Sequence, residues 1–282
     1  MTPAPIKAMI LAAGRGERMR PLTDRTPKPL LQVRGKPLMQ WHLEALARGG
    51  FNHVVVNTAW LGEQISHTFG SHFAPQPSLN KRSKPSNSEH VEIAYSHEGQ
   101  DFGGALETAG GIVRALPLLC PPDATGARAN VFWVLAGDVF APAFVFSQAA
   151  VDRFAASGKL AHLWLVPNPT HNPRGDFGLS VNPGDANAVG LALNLSDNDL
   201  RPRCTYSTIG LYQRALFAPP WCAIPAGNPH GIKAPLAALL RAAMDNGQVS
   251  AEIYHGDWTD AGTPERLQWL NRAPSVPTGT KP

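Results

Sequence analysis

The segment "MILAAGRGERMRPLTDRTPKPLL", residues 9–31, gathers residue types that handle phosphate. Arg15, Arg18, Arg20, Arg25 and Lys28 fall within fourteen residues, opposed only by Glu17 and Asp24. Arginine offers phosphate oxygens a fixed fork of donors, and lysine a mobile point charge. Gly14 and Gly16 let backbone approach a phosphate and turn its N–H groups toward it. Pro27 and Pro29 hold Lys28 in a stiff frame. A basic surface loop would account for the arginines alone; a polyphosphate site accounts for the glycines and prolines as well. Two familiar phosphate fingerprints are excluded, because no third glycine completes a dinucleotide motif and no Gly-Lys-Ser/Thr completes a P-loop. Further along, Asp138 ends an apolar run behind Gly137. A carboxylate there suits a divalent cation held against phosphate oxygens, or the cap of a helix ahead of Pro142.

Such side chains need a frame, and alternating patterns supply one. Residues 6–12 read as a strand that stops at the glycines. Residues 37–48 read as a helix, with Met39, Leu43, Leu46 and Ala47 at helical spacing and Gly49-Gly50 as the stop. Strands at 53–59, 90–96, 130–138 and 160–166 alternate with helices marked by Leu61, Ile65 and Phe69, then at 107–119 and 142–157. That order predicts an α/β fold, a Rossmann-like and mostly parallel sheet with helices on both faces. After residue 168 the pattern changes. Short strand-like pieces at 177–182, 188–195 and 204–212 predict a small antiparallel region, followed by a helix at 232–247, a strand at 250–256 and a helix at 264–271. Residues 1–272 are read as one domain, with a polar, Pro- and Ser-rich mobile insert at about 75–89 and a disordered tail at 273–282.

Composition narrows the function. The chain has 282 residues, 43% of them hydrophobic, with a formal net charge of +4. Outside the opening segment its basic residues are scattered singly, which argues against nucleic acid as a partner. Cys120, Cys204 and Cys222 are odd in number and have no CxxC spacing, so neither a disulfide framework nor a zinc site is expected. The six-residue apolar run after Lys7 is too short for a signal peptide or a membrane span, and a cytoplasmic protein without membrane contact is expected. The ten histidines have no metal-ligand spacing, and Trp133 and Trp164 are expected in the core.

"LAAGRGERMRPLTDRTPKPLL" followed by "GKPL" resembles the signature of the sugar-1-phosphate nucleotidylyltransferases. "LAGD" (135–138), "ETAGG" (107–111) and "WTDAGTPERL" (258–267) resemble that family's metal-binding, base-binding and late motifs. Within the family the resemblance is nearest to compact bacterial enzymes that uridylylate N-acetylmuramate 1-phosphate. It implies UTP and a sugar 1-phosphate as substrates, Mg²⁺ as cofactor, UDP-sugar and pyrophosphate as products, and a role in cell-wall sugar recycling. Mannose-1-phosphate guanylyltransferase and glucose-1-phosphate thymidylyl- or uridylyltransferase are the alternatives.

The resemblance also implies roles for individual residues. Asp138 and Asp260 would hold the metal, with Asp257 the nearest rival to Asp260. Lys28 would contact the phosphoryl centre and Arg18 the β- and γ-phosphates. Leu11, Ala12, Ala13, Gly14 and Gly16 would meet the nucleotide, as would Thr108, Gly110 and Gly111. Glu107 could accept a base N3–H or cap the helix it opens. On the sugar side relatives carry a Glu-Lys-Pro that this chain lacks. Gly178, Thr205, Ser207 and Lys233 are the candidates there, and Lys233 could equally lie on a helix surface. Oligomeric state is left between monomer and small homo-oligomer.

Overall fold

The computed structural model describes residues 5–75, 90–120, 127–181 and 188–272. Residues 76–89 of the expected insert and the tail at 273–282 lie outside them. The first half of the chain runs β1 (Lys7–Leu11), the short hairpin β2 (Gln32–Val33) and β3 (Lys36–Pro37), α1 (Leu38–Arg48), β4 (His53–Thr58), α2 (Gly62–Phe69) and β5 (His72–Phe73). It continues through β6 (Val91–His97), α3 (Glu98–Phe102), α4 (Glu107–Leu119) and β7 (Val131–Ala136). The second half comprises β8 (Val139–Phe140), α5 (Gln148–Ser157), β9 (Ala161–Val166), β10 (Phe177–Leu179), β11 (Gly190–Leu193) and β12 (Arg203–Gln213). Then come α6 (Leu236–Asp245), β13 (Val249–Ile253), β14 (Thr259–Asp260) and α7 (Pro264–Arg272).

Ten strands form one sheet in the order β10-β11-β13-β9-β12-β7-β1-β4-β6-β5. β7, β1, β4 and β6 run parallel, as do β9 and β13. The two faces bury different halves of each strand, as strand alternation requires. Ala8, Ile10, Val54 and Val56 pack with α1, α2 and α5 through Met39, Leu43, Ile65 and Phe154. Met9, Val55, Phe132 and Val134 pack with α4 and α6 through Ile112, Leu116 and Leu240. The expected Rossmann-like α/β architecture is therefore present, and Trp133 and Trp164 are both core residues, with rings 5.0 Å apart.

The antiparallel pieces are less separate than their short runs suggested. β12 lies in the middle of the main sheet, antiparallel to β7 and β9, and its first residues also pair with β10. Two helices start later than expected. α5 begins after Ser147, whose hydroxyl accepts from Ala150 N–H, because Phe144 and Phe146 upstream are spent on core packing. α6 begins after Pro235, which is itself extended at φ −77° and ψ 140° and so stands outside the helix. Among the described residues no helix is long and apolar enough to cross a membrane, and Cys120, Cys204 and Cys222 are free and buried.

A third, smaller cluster joins the opening segment to the end of the chain. Met19, Leu31, Val33 and Leu38 pack against Phe140, Ala261, Leu267 and Leu270. α7 is thereby fastened to the first loop, and Asn271 Oδ1 accepts from Arg34 N–H across 237 residues of sequence.

Two buried histidines give this fold an acid limit. His42 on α1 lies 2.8 Å from the Val139 carbonyl, so its Nε2 carries the proton and donates. His162 on β9 pairs with Ser250. Burial lowers each to about 4 from the ordinary 6.5. Both rings are neutral in the fold, whereas the unfolded chain takes up protons on them below about pH 6.5. Stability should therefore fall as pH drops from about 6.5 toward 4, by up to about 1.4 kcal/mol per pH unit for each ring. Urea denaturation across that range should give a shallower slope for His42→Gln and for His162→Gln than for the parent. An unchanged slope would assign the acid sensitivity to other groups.

Candidate active site

β1 has parallel neighbours on both sides, β4 and β7, and the chain visits the β4 side before returning to β7. Strand order thus reverses at β1. In open α/β sheets the carboxyl ends of the strands flanking such a reversal border a crevice that binds ligands. Here the loops leaving β1 and β7 meet, with Gly137 N–H donating to the Leu11 carbonyl at 2.8 Å. A cavity of about 910 Å³ opens at this point. Leu11, Ala12, Ala13, Gly14 and Gly16 line it, together with Arg18, Lys28, Glu107, Thr108 and Asp138. These ten expected site residues are brought together. At Gly14 a Cβ would meet no protein atom and would project into open space. Gly16 has φ 67° and turns the chain into the short helix that carries Arg18.

Folding sorts the basic cluster into two groups. Lys28, buried, reaches across the crevice and pairs with the Asp138 carboxylate. Arg18 lines the cavity without an ion-pair partner among the described residues. Arg15 turns the other way: it pairs with Asp24 at 3.0 Å, donates to the Thr23 carbonyl, and stacks 3.6 Å over Trp60. Arg20 also pairs with Asp24, at 2.9 Å. The hydrogen bond from Arg15 leads in holding the Asp24 carboxyl below the usual range. Arg15 and Arg20 therefore brace the loop, and neither lines the cavity.

Asp260 arrives by a strand pairing. β14 runs antiparallel to β8 with Asp260 opposite Val139, and Ala261 N–H donates to the Asp138 carbonyl at 2.8 Å. The two aspartates thus sit at adjoining ladder positions, although Asp260 is not itself in the cavity wall. Its Oδ1 is 3.2 Å from Arg266 and 3.1 Å from His171, yet it is buried without an aligned hydrogen bond. Asp257 is exposed. Two carboxylates on adjoining strands, one with an oxygen lacking a donor, fit a hard cation such as Mg²⁺. No group of three or more metal-ligating side chains exists among the described residues, so the remaining ligands would be water and phosphate oxygens.

On the β4–β6 side, a buried hydrogen-bond chain fixes the loop. Ala12 N–H donates to Asn57 Oδ1 at 2.9 Å, Asn57 Nδ2 to Glu98 Oε1 at 2.7 Å, and Leu106 N–H to Glu98 Oε2 at 2.8 Å. Burial pushes the Glu98 carboxyl up, against those two hydrogen bonds and the charge of Arg114. Gly110 and Gly111 do not line the cavity. A Cβ at Gly111 would lie 2.5 Å from Glu98 Oε1, and one at Gly110 2.5 Å from the Ile232 carbonyl. Their small size serves helix packing rather than close approach to a base. Glu107 faces the cavity with φ 60°, a strained value for a non-glycine residue, and no side chain caps α4 at Leu106.

None of the four sugar-side candidates, Gly178, Thr205, Ser207 and Lys233, lines the cavity. Thr205 and Ser207 are buried and occupied, Thr205 with Asn168 and Asn172, Ser207 with the Trp164 carbonyl. Their neighbours Tyr206 and Thr208 line the cavity instead, since successive side chains on a strand point to opposite faces. Gly178 packs under Leu195, and its neighbour Phe177 lines the cavity. Lys233 is exposed in the loop before α6, outside the cavity wall, because Pro235 delays the helix. Asn57, Glu98, Asp176 and Arg241 are polar members of the lining that the sequence reading does not single out. Arg241 had a readable signal, its helical spacing from Leu236, Ala237 and Leu240. Glu98, a lone acid in a turn-like stretch, had none.

A model of the nucleotidyl transferase family matches residues 7–273. The chain is 41% identical over 274 residues to an N-acetylmuramate alpha-1-phosphate uridylyltransferase of Neisseria meningitidis serogroup B, covering 93% of this chain and 96% of that one. It is 35% identical over 157 residues to the protein of the same name from Caulobacter vibrioides, covering 56% and 54%. In structure it resembles a UDP-glucose pyrophosphorylase from Acinetobacter baumanii, with TM-score 0.66 at 15% identity over 95% of this chain and 92% of that one.

The two kinds of glycine should respond differently to substitution. Gly111→Ala should lose about 1–3 kcal/mol of stability by overpacking against Glu98, although helix propensity alone favours alanine by about 1 kcal/mol. Gly14→Val should keep the parent's denaturation midpoint, because its side chain enters the cavity, and should raise the apparent KM for nucleotide by roughly tenfold or more, a loss of about 1.4 kcal/mol. Equal destabilisation in both variants would show that Gly14 serves the fold and not a ligand.

Proposed function

The chain belongs to the nucleotidyl transferase family, and from that premise we propose that it transfers the uridylyl group of UTP to N-acetylmuramate 1-phosphate. The products are the UDP-sugar and pyrophosphate, and the setting is cell-wall sugar recycling. The observation that carries this reading is the pairing of buried Lys28 with Asp138 in the cavity that Gly14 and Gly16 also line.

In this reaction a sugar-phosphate oxygen bonds to the α-phosphorus of UTP, and the bond to the departing pyrophosphate breaks. The protein has little covalent work to do; it positions the reactants and stabilises charge. Lys28 and Asp138 hold each other in register until phosphate arrives and offers Lys28 a second anionic partner. Pro27 fixes the backbone ahead of Lys28 at φ −63°, and Pro29 constrains it from behind. Arg18 has no partner to give up among the described residues and would grip the pyrophosphate end. Mg²⁺, held by Asp138 and Asp260, would supply offsetting charge for the phosphate oxygens.

Backbone groups at Ala12 to Gly14 are available to the nucleoside, with Ala12 fixed through Asn57. Glu107 and Thr108 face the cavity from the start of α4, where a uracil N3–H would find a carboxylate acceptor. The identity with the Neisseria protein along nearly the whole chain supports uridylyl transfer and this sugar.

Pyrophosphate release with Mg²⁺, each of four NTPs and a panel of sugar 1-phosphates tests the assignment. UTP with N-acetylmuramate 1-phosphate should give the highest kcat/KM, and a GTP preference would move the protein to guanylyl transfer. Asp138→Asn and Asp260→Asn should each reduce turnover by ~10³-fold or more while leaving far-UV circular dichroism unchanged. Activity within tenfold of the parent would remove that aspartate from the site. Lys28→Ala should lower kcat by at least ~10²-fold, about 2.7 kcal/mol, whereas Arg18→Ala should lower kcat and also raise the KM for UTP. A Lys28 variant altered only in KM would reduce that residue to a binding role.

A further inference from the structure

The cavity has a second cationic pole that the phosphate chemistry does not use. α6 presents Leu236, Ala237, Leu240 and Arg241 to it, the spacing of one helical face. The Arg241 guanidinium sits over Phe177 of β10, 5.3 Å from the ring centroid. β10 pairs with the first residues of β12, Arg203 and Cys204, whereas β7, the strand that leads to Asp138, pairs with the last ones, Ile209 to Gln213, so β10 is displaced from β7 along the length of β12. Of the three basic side chains in the cavity wall, Lys28 and Arg18 belong to the loop after β1 and only Arg241 lies at this far end.

Arg241 is held but not neutralised. Its NH1 donates to Asn194 Oδ1 at 2.6 Å, and Asn194 is oriented by giving its amide hydrogens to Asp245, at 2.9 and 3.1 Å. Among the described residues Arg241 has no ion-pair partner. Asp176, the acid on this side of the cavity, is already occupied by Tyr206 N–H at 2.8 Å and by the Asn172 amide at 3.2 Å. A fixed fork with unused N–H groups beside an aromatic ring matches a planar carboxylate. A neutral hexose would leave that charge without a partner.

We propose that Arg241 is the carboxylate-recognising residue of the sugar subsite. It selects sugar 1-phosphates that carry an acidic side group and rejects their neutral counterparts. The proposal rests on the uridylyl-transfer reading for its substrate: N-acetylmuramate differs from N-acetylglucosamine by a lactyl ether that ends in a carboxylate.

Two measurements separate the subsite from that reading. The first is equilibrium binding, by titration calorimetry, of UDP-N-acetylmuramate and UDP-N-acetylglucosamine to the parent, Arg241→Ala and Arg241→Lys. The parent should prefer the acidic ligand by about 10- to 100-fold, as a charge-assisted contact implies. Arg241→Ala should abolish that preference, and Arg241→Lys should keep part of it, having the charge without the fork. No preference in the parent, or a preference that survives Arg241→Ala, would overturn the proposal. The second is turnover of the two sugar 1-phosphates with UTP, where the kcat/KM ratio should fall by the same factor in Arg241→Ala. A parent that binds the acidic nucleotide sugar preferentially yet turns over neither sugar phosphate would leave the subsite standing and reject the uridylyl-transfer reading. A loss shared equally by both sugars would make Arg241 structural and would also overturn the proposal.

Discussion

The buried carboxylate of Glu98 anchors three parts of the molecule at once. Through Asn57 it reaches Ala12 at the end of β1, and directly it holds Leu106 ahead of α4. In a low-dielectric interior such a chain is worth keeping only when every member is satisfied, and here Glu98 and Asn57 have their partners. Removing one member would strand donors at a cost of about 1–3 kcal/mol each. The consequence is positional: the Gly14 loop, the end of β4 and the start of α4 cannot move independently. Gly111 is the sequence's concession to this arrangement, since a side chain there would occupy the place of the Glu98 oxygen.

Against that fixed wall the charges divide by direction. Asp24 draws Arg15 and Arg20 away from the cavity, and Trp60 covers the Arg15 guanidinium. Lys28 is left facing Asp138, with Arg18 free beside it. A loop carrying five cations could not otherwise present a defined pair of them, because mutual repulsion would spread them apart. Part of the basic cluster therefore orders the loop, and Lys28 and Arg18 face the cavity.

The remaining acid depends on packing far from the chemistry. Leu267 and Leu270 of α7 bury themselves against Met19, Leu31 and Leu38, and this docking brings β14 onto β8 so that Asp260 lies beside Asp138. His42 supports the same corner from α1 by donating to the Val139 carbonyl. A site for charge stabilisation must be assembled before the substrate arrives, and this corner is held by apolar burial and a neutral imidazole.

Local sequence determined a good deal. Apolar runs that stop at Gly14, Asn57 and Gly137 located β1, β4 and β7, because burial on both faces leaves no alternation to confuse them, whereas β6 alternates. The Gly14 to Pro29 segment declared a phosphate loop because glycine, arginine and proline have few other reasons to occur together. Only the tertiary structure decided which arginines face a ligand, since that depends on Asp24 and Trp60 folding over them. It alone set the side of β12 that meets the cavity, putting Tyr206 and Thr208 inside and Thr205 and Ser207 out, because alternation sorts a strand's residues into two faces without saying which face meets a cavity. It likewise brought Glu98 and Arg241 to the site from opposite sides of the sheet. Glu98 has no local pattern that marks it, the helical spacing of Arg241 does not say what that residue faces, and their partners, Asn57 and Asn194, are 41 and 47 residues away. Sequence reports what a residue is next to along the chain, and a polar side chain acquires its role from what it faces across space.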